Sequence, residues 1–135
     1  MTDDPRIPLI EAAIEAFNAQ EEGILGFIHP DATSRVAEGL GNPGAFRGIE
    51  GFKTMMDDWG EAWSENTVEL DETELLDDTT ALVHATQTAV GAGSGVPVTF
   101  GTVFLVVFED GKAIRFEIHP DRGSAMAPLE GSGGV

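Results

Sequence analysis

The stretch VPVTFGTVFLVVFEDGKAIRFEIHP, Val96 to Pro120, decides the fold. It is rich in Val, Thr, Phe and Ile with a period of two, and Asp110-Gly111 divides it where a tight hairpin needs residues that accept left-handed backbone. The stretch therefore reads as two antiparallel strands. In the first, Phe100, Phe104 and Phe108 point one way while Val103, Leu105 and Val107 point the other, so both faces want cover. Helices are expected on one face and a second subunit on the other.

Working upstream, TVELDETELL (Thr67 to Leu76) and TALVHATQTAV (Thr80 to Val90) share the strand period. Before Asn66 the period is helical. LIEAAIEAFNAQEEG places Ile10, Ala13, Ile14 and Phe17 on one stripe with Gly23 as a stop, and IEGFKTMMDDWGEAW does the same with Ile49, Phe52, Met56, Trp59 and Trp63. ILGFI allows one short helical turn between them, and EGLGNPGAFRG reads as irregular. Helices followed by a run of strands predict an α+β domain with its helices on one face of a curved sheet.

A chain of 135 residues and 41% hydrophobic content suits one core, assigned to residues 1–127, with 128–135 as a flexible tail. The formal charge of −17 disfavours nucleic acid and anionic membrane surfaces. Cysteine is absent, which removes disulfides and thiolate chemistry. The start has no basic region ahead of an apolar stretch, and VFLVVF (Val103 to Phe108) is too short to cross a bilayer, so a soluble cytoplasmic protein is expected.

The string Ile-His-Pro-Asp occurs at Ile28 to Asp31 and again at Ile118 to Asp121, holding two of the three histidines. The first copy reads as a turn without chemistry, since proline ends the preceding element and aspartate accepts backbone hydrogen bonds. The second ends the last strand. A split metal site would need the copies to converge, and His-Glu-x-x-His is absent, so no metal or cofactor is expected.

Three pieces in order, HPDA (29–32), GAFRGIEGFKTMMDDWGEAW (44–63) and GAGSGVPVTFGTVFLVVFEDGKAIRFEIHPDRGSAM (91–126), resemble a SnoaL-like member of the nuclear transport factor 2 superfamily. The resemblance implies a cone-shaped, cystatin-like α+β fold in which a curved antiparallel (mixed) sheet wraps around N-terminal helices. It also implies a deep pocket between helices and sheet, and frequently a homodimer packed through the sheet. It names no single reaction, because the fold hosts isomerases, cyclases, dehydratases and binding modules.

For chemistry in such a pocket the last strand offers Arg115, Glu117 and His119, which alternate with Ile114, Phe116 and Ile118 and so share a face. A carboxylate beside a histidine can move a proton, and the arginine can stabilise the developing charge. The competing reading makes this row the solvated or dimer-facing side, with the Ile and Phe row as core. His84 is a proton shuttle if it faces a pocket and a hydrogen-bonded structural residue otherwise. Phe17, Trp59, Trp63 and Phe104 are the candidates for gripping an apolar ligand. Ketosteroid isomerase holds its enolate with a tyrosine; this chain has none, and Glu38 is the only carboxylate near that enzyme's base position. Two functions stand. One is an acid/base isomerase, cyclase or dehydratase acting on a hydrophobic carbonyl compound, and the other is a dimeric ligand-binding module without catalysis.

Overall fold

The computed structural model describes residues 4–19, 22–36, 44–61 and 63–133, with the side chains of 22–23, 44–45, 59–61, 63–64 and 128–133 outside that description. Helix α1 (Arg6–Asn18) is followed by a 3-10 turn (Glu22–Phe27), strands β1 (Ile28–Val36) and β2 (Gly44–Arg47), and helix α2 (Gly48–Glu61). Strands β3 (Trp63–Leu75), β4 (Thr80–Gly91), β5 (Pro97–Glu109) and β6 (Lys112–His119) come next, and helix α3 (Arg122–Gly133) ends the chain, running into the segment assigned to a tail. The six strands form one mixed sheet in the order β2-β1-β6-β5-β4-β3.

The β5–β6 hairpin forms as the sequence predicts. Its turn residues Asp110 and Gly111 have φ of 54° and 76°, the left-handed pair that matches the twist of the flanking strands. Strands β3 to β6 are antiparallel neighbours, and β1 joins β6 in parallel.

The first His-Pro-Asp copy is a correction: it lies inside β1, not in a turn between helices. Its ladder to β6 has Ile28 opposite Ala113 and resumes at Thr33 opposite Arg115, with a register shift between. Pro30 has no N–H to give a ladder, which accounts for a strand broken at this point. The stretch read as irregular also contains β2, paired to β1 from Thr33–Arg47 to Val36–Gly44. Helix α2 stops at Glu61, so Trp63 opens a strand instead of closing a helix.

Each face of the sheet has its own apolar cluster. Ile10, Phe52 and Met55 from α1 and α2 bury against Val83, Ala85, Phe104, Val106 and Ile118 on what we call the inner face. On the outer face Leu82, Val103 and Leu105 pack with Ala125 and Met126 of α3. The cover that the alternation of β5 demands on its second face is therefore supplied, at Val103 and Leu105, by the chain's own last helix. Two elements close the margins. Asn18, at the end of α1, donates from Nδ2 to the Val68 carbonyl and accepts the Val68 N–H at Oδ1, both at 2.8 Å, which satisfies part of the open edge of β3. Arg6 holds Asp4 through Nε and Nη2 at 2.9 and 2.8 Å and donates to the Asp77 carbonyl, tying the start of α1 to the β3–β4 turn. Among the described residues, no helix is long and apolar enough to cross a membrane.

Candidate functional site

The inner face forms a partly open cavity in which the centre of a water-sized sphere can range over about 60 Å³. Helix α1 lines it with Ile10, Ala13, Ile14 and Phe17, the whole of its predicted stripe, and α2 contributes Phe52 and Met56. The sheet supplies Val68, Val83, Gln87, Phe104, Val106, Phe116 and Ile118, every one from an inward-facing strand position. Phe104 and Phe116 stack at 5.5 Å and 23°, and Phe52 meets Phe116 edge-on at 5.6 Å, so the aromatic wall combines a stacked and an edge-to-face pair. Phe17 and Phe104, two of the candidates for gripping an apolar ligand, both line this cavity. The side chains of Trp59 and Trp63, and all of Glu38, lie outside the described residues.

Gln87 is the one polar side chain among the described lining residues, and sequence reasoning did not single it out. The signal was present: in the inward row Val83, Ala85, Gln87, Ala89 a long amide interrupts small and branched apolar residues. Gln87 is 1% exposed; its Nε2 donates to Thr102 Oγ1 at 3.0 Å, and its Oε1 has no partner.

The predicted acid/base residues are brought together, but on the other side. Because Phe116 and Ile118 turn into the cavity, the pleat turns Arg115, Glu117 and His119 outward, under and beside α3. His84 lies on the same outer face, opposite Val103 as His119 is. None of the four lines the cavity.

Their hydrogen bonds tie helix α3 to the sheet. Glu117 Oε2 accepts from Arg115 Nε and its Oε1 lies against His119 Nε2, each at 2.7 Å. Nδ1 of the same ring meets Ser124 Oγ of α3 at 2.8 Å. Burial pushes the Glu117 carboxyl up, but the hydrogen bonds and charges of His119 and Arg115 outweigh it and hold the group below its ordinary value. A Ser-His-Glu chain has the composition of an acyl-transfer relay. Here the Ser124 N–H, the natural oxyanion donor, is committed to Asp121 Oδ1 at 2.8 Å, and Glu117 and His119 are 4% and 2% exposed. The chain is a clasp fastening α3 to β6. A second clasp joins α3 to β3: Arg122 grips Glu74 through Nη2 at 2.7 Å and Nε at 2.9 Å, and His84 Nε2 reaches the same carboxylate at 3.0 Å. Hydrogen bonds from Arg122 and then His84 draw Glu74 down to about 2.

His29, Glu109 and Asp110 bring one potential ligand atom each to within 4.8 Å of one another. The Asp31 N–H donates to His29 Nδ1 at 2.9 Å, which leaves the neutral ring's proton on Nε2, facing Glu109 at 3.5 Å. A metal at Nε2 would have to displace that proton, so the trio reads as a strap between β1 and the β5–β6 hairpin.

An inner-face cavity under two helices on a curved mixed sheet is the architecture of the nuclear transport factor 2-like, or cystatin-like, fold. The family model described as a SnoaL-like domain matches residues 10–116, and the chain belongs to that family. Among solved structures, the chain is similar to TerC co-crystallized with polyporic acid, at 25% identity and a TM-score of 0.78, over 93% of this chain and 98% of that one. An NTF2-like protein of unknown function from Burkholderia pseudomallei aligns at 21% identity and a TM-score of 0.79, over 94% and 97% of the two chains. A putative SnoaL-like polyketide cyclase from a Jannaschia species aligns at 17% and 0.73, over 93% and 90%. The last two likenesses are of fold. No curated protein matches the sequence.

Proposed function

We propose that this SnoaL-like protein binds an apolar small molecule in its inner cavity and does not itself catalyse proton transfer there. The observation that carries this is the lining: among the described residues it holds no titratable side chain, while His84, Arg115, Glu117 and His119 are engaged on the opposite face. A general base must reach the proton it abstracts within about 3 Å or through one water, and groups behind the sheet do not. Similarity to TerC, co-crystallized with polyporic acid, supports a small-molecule occupant. The assembly proposed with it is a homodimer through the part of the outer face beside α3, where Thr88, Thr99 and Gly101 form exposed strand surface.

The test is fluorescence titration with N-phenyl-1-naphthylamine, a neutral apolar probe, on the wild type and on Ala13→Phe, which fills the cavity from α1. Saturable binding to the wild type that weakens at least about tenfold in the variant is the expected result. Turnover of a carbonyl substrate that disappears in Glu117→Gln or His84→Ala, with the fold intact, overturns the binding reading.

A further inference from the structure

The buried amide of Gln87 is half satisfied. Its Nε2 is used by Thr102 at 3.0 Å, and its Oε1 is left without a partner at the wall of an otherwise apolar cavity. Asn66 belongs to the same neighbourhood. It shares the inward face of β3 with Val68, the residue opposite Gln87, and its Nδ2 and Oδ1 are both buried without partners. Three unpaired polar atoms therefore lie on diagonal positions of one strand pair, one of them on a cavity wall. Unpaired buried amide atoms are costly, and at a cavity wall a polar group on a ligand can supply the missing partner.

We infer that the cavity selects an uncharged ligand carrying a neutral hydrogen-bond donor, in its simplest form a hydroxyl, which donates its proton to Gln87 Oε1. The inference rests on the binding reading above and adds the ligand's polar function to it. Chemistry chooses the group. Gln87 Oε1 needs a donor. An ammonium would be buried with no carboxylate among the described lining residues to pair with it, and a carboxylate or phosphate would find no cation there. A neutral O–H supplies the donor without bringing a charge into the apolar lining.

Three probes with one ring system test this: 2-naphthol, naphthalene and 2-naphthoate, each measured by competition against N-phenyl-1-naphthylamine at neutral pH. The wild type is expected to bind 2-naphthol at least about tenfold more tightly than naphthalene and to bind 2-naphthoate most weakly. In Gln87→Leu the ratio of 2-naphthol to naphthalene affinity collapses toward one. Gln87→Met, which keeps the length of the side chain, must do the same, and circular dichroism and thermal midpoint report whether each variant is folded. Equal wild-type affinity for naphthol and naphthalene, or a ratio unchanged in a folded variant, overturns the hydroxyl inference and leaves the binding reading standing. Failure of the reporter and all three probes to bind the wild type overturns both.

Discussion

Glu117 takes one hydrogen bond from a half-exposed arginine and one from a histidine that is itself 2% exposed. Removing such a carboxylate leaves a buried imidazole without its acceptor and a guanidinium without its counter-charge. Glu117→Ala is therefore expected to cost about 3 kcal/mol of stability, read from urea denaturation, while cavity binding of a neutral probe stays within twofold of the wild type. Loss of binding in a folded variant would instead return Glu117 to the functional site. Glu74 and Glu117 also set an acid limit. Both are held below the ordinary value of 4.5, Glu74 at about 2, so the stability they contribute is fully present above about pH 4.5 and is lost as pH falls through their folded values. The thermal midpoint of the wild type should drop as pH is lowered from 5 to 3. Glu74→Gln should start lower and drop less, and parallel curves would remove Glu74 from the account.

At the scale of elements, two devices cover part of the outer face and part of the β3 edge of the sheet. Among the described side chains of helix α3, Ala125 and Met126 cover Leu82, Val103 and Leu105, and the helix is positioned by the clasps through Ser124 and Arg122. Asn18 does for the edge strand β3 what a further strand would do, offering an amide donor and acceptor to one residue's backbone. Asn18→Ala is expected to cost about 1–2 kcal/mol and to speed amide exchange at Val68, measured by hydrogen–deuterium exchange. Unchanged exchange at that position would show the edge to be protected by something else. Much of this level was legible beforehand. The β5–β6 hairpin, β3, β4, α1 and most of α2 follow from period and turn chemistry. Strands β1 and β2 were not legible, because Pro30 and the glycine-rich stretch after Glu38 argue locally against strands, and the parallel ladder to β6 that stabilises β1 is a contact across more than eighty residues of chain.

At the scale of the molecule, a formal charge of −17 on 135 residues works against the compact state by self-repulsion. Added salt screens it: the Debye length falls from about 30 Å at 0.01 M to roughly 8 Å at 0.15 M. The thermal midpoint should rise by several degrees between those two concentrations of sodium chloride, and a flat or falling response would mean that local ion pairs such as Arg122–Glu74 dominate. Among the described lining residues none is charged, which fits the neutral ligand proposed above.

By itself the sequence determined the α+β order, the apolar stripe of α1 and the alternation that puts Phe100, Phe104 and Phe108 on one side of β5, because these depend on local period and composition; the family came from the resemblance of three ordered pieces of sequence. Which side of β6 meets the cavity was beyond it. The row Arg115, Glu117, His119 and the row Phe116, Ile118 are equally regular, and strand parity says only that they face opposite ways. The tertiary structure decided the matter by placing α1 and α2 over the aromatic row and α3 over the charged one. That assignment puts Arg115, Glu117 and His119 beside α3 and leaves Gln87, on the inner face of β4, as the polar side chain among the described residues of the cavity wall.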